Sequence, residues 1–304
     1  MIANLRPADL FAIVVPLGLG IASLLGSRRI PEGLSVGLLL VAVSAFGFLA
    51  RVIATQVRHP AARVLGDFYC IATIWFAYSR LNPVIDLVSP VTYDRELQAI
   101  DEFLFGVQPS VYLSRFHMPM LTELAYYAYV LFFFWQLSLG ILLYRRPDKK
   151  DFEDYYLTVI AFYMLSYIGY VMIPAIGPRF DVAHQYPIEL TGVFRGTQIR
   201  DSFYNIPMVR DCFPSGHTGL TLLVLTRALT KRAFGFFLVM LPCAMLLIFS
   251  TVYCRFHYVA DLLCALPFIT GILCVDEASR RLLPNGLSIR WLELRASERV
   301  ETTA

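Results

Sequence analysis

The sequence predicts an all-α fold, a polytopic membrane helical bundle of about eight transmembrane helices. Hydrophobic residues make up 57% of the 304 and charged residues only 16%, with a mean hydropathy of +0.60. That is far more apolar than a soluble domain of ordinary usage. Apolar stretches long enough to cross a hydrocarbon layer of roughly 30 Å recur along the whole chain. No internal repeat or low-complexity linker interrupts them.

In order, the candidate spans cover about 8–26, 34–54, 64–81, 121–144, 155–176, 214–230, 233–251 and 258–276. The first does not read as a cleaved signal peptide, because its long apolar run ends in GSRR and not at a small-residue site. Eight spans put both termini on one side. The Lys and Arg of the segments on that side, among them Arg145, Arg146, Lys149, Lys150, Arg280 and Arg281, outnumber those of the opposite segments. Both termini are therefore expected in the cytoplasm. A short charged tail is expected at 280–304. The formal charge of +3, spread along the chain, gives no basis for a nucleic-acid partner.

Two long segments fall on the extracytoplasmic side. In 82–120, the run YDRELQAIDEFLFG places Leu97, Ile100, Leu104 and Phe105 at helical spacing among charges, as expected of a helix lying in the interface. Segment 177–213 carries several arginines and leads into CFPSGHTGLTLLVLT. The clusters YYAYVLFFFW and YYLTVIAFY read as packing and interfacial belts rather than as a ligand box.

Three groups of residues carry candidate chemistry. Pro214 suits the first turn of a helix, so Ser215, Gly216 and His217 would present backbone N–H groups at a positive helix end, which binds anions. His217 adds a proton donor that an anion-binding turn alone does not need; a capped helix with an interfacial histidine is the plainer alternative. His257 and Asp261 are four apart and share a helical face. The carboxylate there can hold one ring N–H and leave the other nitrogen free as nucleophile or base. Arg179, in IPAIGPRF, either grips phosphate with its planar fork or snorkels to the interface. All three groups fall on one side of the expected topology. That combination suits phosphoryl transfer through a phosphohistidine. A transporter lined by charges and a metal site of His217, His257 and Asp261 are the rival classes.

These residues resemble the type 2 phosphatidic acid phosphatase (PAP2) superfamily, whose three motifs are KxxxxxxRP, PSGH and SRxxxxxHxxxD. Pro214, Ser215, Gly216 and His217 match the second completely. Ser250, His257 and Asp261 match the third, with Thr251 where the family has Arg. The first is replaced by PAIGPR, which is similar to the PAxxPR variant of the branch containing the fungal inositol phosphorylceramide synthases and related bacterial proteins. The resemblance implies a six-helix PAP2-like catalytic core over 64–279, preceded by two additional transmembrane helices in 1–63. It implies that His257 attacks phosphorus, Asp261 orients it and His217 protonates the leaving oxygen. Arg179 and the N–H groups around Ser215 and Gly216 would hold the phosphate, with Arg210 and Arg255 as candidate substitutes for the missing basic residues. The implied substrate is a phospholipid or lipid phosphate in a bacterial inner membrane, handled on the extracytoplasmic side with no cofactor and no metal.

Of the six cysteines, Cys70, Cys243, Cys264 and Cys274 lie in candidate spans and read as packing residues. Cys212 and Cys254 each flank a histidine motif on the side expected to be oxidising. A disulfide tying the two motif loops together is one expectation, and two unpaired thiols near the interface are the alternative.

Overall fold

The computed structural model describes residues 2–30, 32–206, 208–282 and 287–290. The fold is built from helices: α1 Pro7–Leu25, α2 Gly33–Gln56, α3 Pro60–Tyr78, α4 Leu81–Val88, α5 Asp94–Phe105, α6 Pro109–Leu113, α7 Pro119–Val130, α8 Phe132–Tyr144, α9 Lys150–Met172, α10 Pro178–Asp181, α11 Gly196–Tyr204, α12 Gly216–Thr230, α13 Phe234–Tyr253 and α14 Val259–Leu282. A short antiparallel strand pair, β1 Ile2–Leu5 and β2 Leu287–Arg290, accompanies them. Most of the expected charged tail, 283–286 and 291–304, lies outside the described residues.

Each of the eight candidate stretches falls on a helix. Among the described residues, α1, α2, α9, α13 and α14 are long and apolar enough to cross a membrane, and α7 with α8 forms a sixth candidate bent by 42°. The chain is therefore an integral membrane protein with five to six spans on these grounds. Two stretches fall short of that standard. Helix α12 has only 15 residues, about 22 Å of rise, and α3 carries Arg63 and Asp67 in its first half.

The chain divides into two compact units, Met1–Val84 with Cys274–Ala304, and Ile85–Leu273. In the first, α3 packs with α1 and α2, so the N-terminal group contains three apolar helices where the sequence reading set two apart. A buried charge cluster ties them. Asp9 Oδ1 pairs with Arg6 Nη2 at 3.0 Å and Asp9 Oδ2 with Arg51 Nε at 3.0 Å, while Arg6 Nη1 reaches Asp67 Oδ1 at 3.0 Å. Charges this deep are tolerated only when paired.

In the second unit, loops and short helices are held by carboxylates that accept backbone N–H groups. Glu123 of α7, buried, accepts from Phe194, Arg195 and Gly196 at 2.8 to 3.1 Å, which satisfies the orphan donors at the start of α11. Helix α5 lies where the interfacial helix was expected, but its faces are divided differently. Leu97 points inward together with Asp94 and Asp101, all buried, while Ile100, Phe103, Leu104 and Phe105 are exposed. Asp94 and Asp101, which a simple amphipathic reading turns to water, face the protein, while Glu96 and Glu102 are exposed.

Candidate active site

The turn before α12 forms the first wall. Ser215 is the N-cap, and its Oγ accepts the Thr218 N–H at 3.3 Å, as capping serines do. Pro214 thus precedes the cap and does not occupy the first turn, and the first-turn donors are Gly216 and His217. The Ser215 carbonyl accepts the Gly219 N–H at 3.0 Å, so the helix proper begins immediately. A Cβ on Gly216 would sit 2.9 Å from the Tyr170 hydroxyl. Glycine is what lets that hydroxyl reach the helix mouth.

The second wall is the segment between α13 and α14. His257 Nδ1 lies 2.6 Å from Asp261 Oδ2 and 3.1 Å from the Cys212 carbonyl oxygen. Both partners are acceptors, so Nδ1 carries the proton and Nε2 keeps its lone pair. The Cys212 thiol donates to the same Asp261 oxygen at 3.2 Å. Burial pushes that thiol well up, the Asp261 carboxylate adds to the effect, and the group stays a protonated donor. His257 and Asp261 are both buried.

The two histidine rings lie with centroids 5.9 Å apart and planes tilted by 56°. The walls around His217 come from the aromatic run that the sequence reading set aside. Tyr129 stacks on the His217 ring at 3.9 Å and Phe132 lies at 4.3 Å, one on each side of the bend between α7 and α8. Phe256 stacks on Tyr129 at 4.3 Å. No periodicity in YYAYVLFFFW distinguishes these two rings from their lipid-facing neighbours.

Arg179 joins the same place. Its backbone N–H donates to the Arg255 carbonyl at 2.8 Å, and its guanidinium carbon lies 4.9 Å from the Phe180 ring centroid and 5.1 Å from that of Phe256. The side chain is 8% exposed, and Nε has no hydrogen-bond partner among the described residues. Asp211 Oδ1 stands 3.9 Å from Nη2, a long ion pair. A buried donor left open is a place for an acceptor such as a phosphate oxygen. Arg255 is arranged similarly: its guanidinium lies 3.7 Å over the Tyr186 ring, Nη2 donates to the Ile188 carbonyl at 2.6 Å, and Nε is unpartnered among the described residues. Arg210 differs, because Asp86 Oδ1 matches its charge at 2.6 Å.

A lysine keeps the charge but loses the planar, two-pronged donor geometry, so Arg179→Lys is expected to be nearly as damaging as Arg179→Ala. The loss should be on the order of 1 to 3 kcal/mol in transition-state binding, about 5- to 150-fold in kcat/KM. Steady-state kinetics of both variants check this; full activity of the lysine variant would mean that only charge matters there. Gly177 positions Arg179. It has φ +80°, and a Cβ there would lie 2.6 Å from the Phe256 carbonyl oxygen. Gly177→Ala combines left-handed strain with a backbone clash. It is expected to lower turnover at least about 10-fold, while assays of an exposed control such as Glu96→Gln show no change.

The expected Cys212–Cys254 disulfide is not formed; both thiols are free. The reason is packing. Cys212 belongs to a core cluster with Leu97, Ala175, Tyr258 and Ala260, and Cys254 to another with Tyr126, Tyr129 and Phe256. Cys212 Sγ, His257 Nδ1 and Asp261 Oδ2 lie within 4.8 Å of one another, so the candidate metal-ligand group includes Cys212 where the sequence reading had His217. The 2.6 Å separation of Nδ1 and Oδ2 is a hydrogen bond. Two ligands at about 2.0 Å from a tetrahedral zinc stand roughly 3.3 Å apart.

The three sequence groups thus converge, on a histidine oriented by a carboxylate, a second histidine opposite it, and an arginine with an open donor. Such a grouping can bind an anion and move a proton beside it. The chain belongs to the PAP2 superfamily, whose family model matches residues 95–275 and whose members are generally phosphatases and phosphotransferases. No curated protein and no solved structure matches it.

Proposed function

We propose that this protein is a lipid phosphotransferase or phosphatase that works through a phosphohistidine on His257, and that it transfers a phospho-head group to a lipid alcohol. The observation that carries the reading is the His257 ring, fixed through Nδ1 by Asp261 and the Cys212 carbonyl, with the His217 ring 5.9 Å away. His257 Nε2 attacks phosphorus, the bond to the leaving oxygen breaks, and His217 delivers the proton to that oxygen. In the second half, His217 takes a proton from the acceptor hydroxyl, whose oxygen attacks phosphorus and breaks the P–N bond. The Gly216 and His217 N–H groups with Arg179 and Arg255 hold the phosphoryl oxygens.

Two features support an alcohol acceptor: the PAIGPR motif of the inositol phosphorylceramide synthase-like branch, and the aromatic walls beside His217. With water as acceptor the same residues make a strict lipid phosphate phosphatase. We place the site on the extracytoplasmic side of a bacterial inner membrane, with both termini cytoplasmic and all eight helical stretches traversing. Incubating the purified chain with labelled phospholipids, with and without lipid alcohols, tests the reading. Label in a new lipid supports transfer, label in free phosphate supports the phosphatase, and no release or transfer from any lipid overturns both.

A further inference from the structure

Helix α5 contains no residue of the three motifs, yet it touches two of them through carboxylates. Asp94 Oδ2 accepts the Ile176 N–H at 3.0 Å and Asp94 Oδ1 the Gly177 N–H at 2.8 Å, two residues before Arg179. One and two turns further along the same inward face come Leu97 and Asp101. Asp101 Oδ2 accepts the Val259 N–H at 2.9 Å and Oδ1 the Ala260 N–H at 2.7 Å, which are first-turn donors of α14, between His257 and Asp261. The Tyr258 hydroxyl links the two ends, donating to Asp181 Oδ2 at 2.9 Å and lying 3.3 Å from Asp94 Oδ1. Each carboxylate therefore spends both oxygens on main-chain donors of one motif.

We propose that Asp94 and Asp101 are positioning residues, a rigid clasp in which α5 sets the Arg179 loop and the His257–Asp261 segment at the spacing phosphoryl transfer requires. This rests on the functional reading above and deepens it. A seven-residue helical separation is about 10 Å and does not stretch, so the two motifs are indexed to one ruler although they lie about 80 residues apart in sequence.

The energetics agree with a role beyond stability. Burial raises the Asp101 carboxyl to about 6 despite its two backbone hydrogen bonds, with Asp261 adding to the rise and Gln108 opposing it. Burial likewise raises Asp94, against the Ile176, Gly177 and Thr92 hydrogen bonds and with Asp181 adding to the rise. A folded-state value above the ordinary one means stability that is present at low pH and lost as pH rises through the folded value, between about 4 and 6 for Asp101. At neutral pH the ionised Asp101 weakens the fold it organises, as functional groups commonly do.

The test uses the full chain in detergent, with inorganic phosphate as the binding probe. Asp101→Asn turns an NH2 group toward a backbone N–H at the start of α14. It is expected to lower kcat about 10- to 100-fold with phosphate affinity changed less than about threefold. Asp94→Asn disturbs the Arg179 loop and is expected to weaken phosphate binding about tenfold, seen also as raised KM. Asp101→Glu, which keeps the carboxylate on a longer arm, should recover part of the kcat. Parallel loss of kcat and phosphate affinity in both variants, or wild-type values in both, overturns the clasp, as does failure of the Asn variants to fold while Ala at the exposed Glu96 is tolerated. If the wild-type chain turns over no lipid, the functional reading has failed instead, and the differing phosphate affinities of the Asp94 and Asp101 variants still decide the clasp.

Discussion

Replacing His257 by alanine is expected to remove turnover and the acid-labile phosphoenzyme together, with activity falling about four to six orders of magnitude. In the proposed mechanism the substitution deletes the atom that bonds to phosphorus, and the Cys212 thiol beside it is held protonated as a donor to Asp261. Short incubation with labelled lipid, followed by an acid-stability assay of the protein-bound label, measures both quantities. Acid-labile phosphate persisting on the alanine variant would place the nucleophile elsewhere. Asp261→Asn should fall between this variant and the wild type, since it spoils the tautomer but keeps the nucleophile.

His217→Ala should behave differently. It removes the group that protonates the leaving oxygen, so with a lipid alkoxide as leaving group the loss is about 100- to 10,000-fold. An aryl phosphate, which departs as a stabilised anion, needs little protonation and should recover much of that loss. The contrast in leaving-group dependence between the His217 and His257 variants separates acid from nucleophile, and identical responses would reject the assignment. The stacked Tyr129 and nearby Phe132 keep the His217 ring in one plane. Replacing His217 by alanine removes those ring contacts as well as the proton donor, so a lowered melting temperature is expected beside the lost proton delivery, which thermal denaturation of the variant would show.

Much of this was legible without coordinates. Membrane class followed from composition, because apolar residues in such excess have no soluble core large enough to hold them. The His257–Asp261 pair was legible because a spacing of four is a local helical relation, and the PSGH turn because a cap and its donors are neighbours in sequence. Arg179 was legible only as one of two alternatives, and its stacking between Phe180 and Phe256 decides for a held guanidinium.

What escaped the sequence lies at longer range. Tyr129 and Phe132 are indistinguishable in their run from rings that face lipid, and only the 42° bend and the approach of α12 select them. The cysteine pairing failed because flanking two neighbouring motifs does not make two side chains point at each other; each thiol is committed to its own cluster. The inward turn of Asp94 and Asp101 in α5 was not legible because charge in an amphipathic pattern normally turns to water, unless distant backbone donors are brought to it.

By itself, then, the amino-acid sequence determined the class, the helical stretches and the two histidine motifs, since each depends on residues a few positions apart and on the solubility of whole segments. Only the tertiary structure decided which nitrogen of His257 is free, which aromatic rings wall His217, and which carboxylates hold the motif loops. Those depend on hydrogen bonds and contacts between residues 45 to 164 positions apart, whose partners no local periodicity encodes.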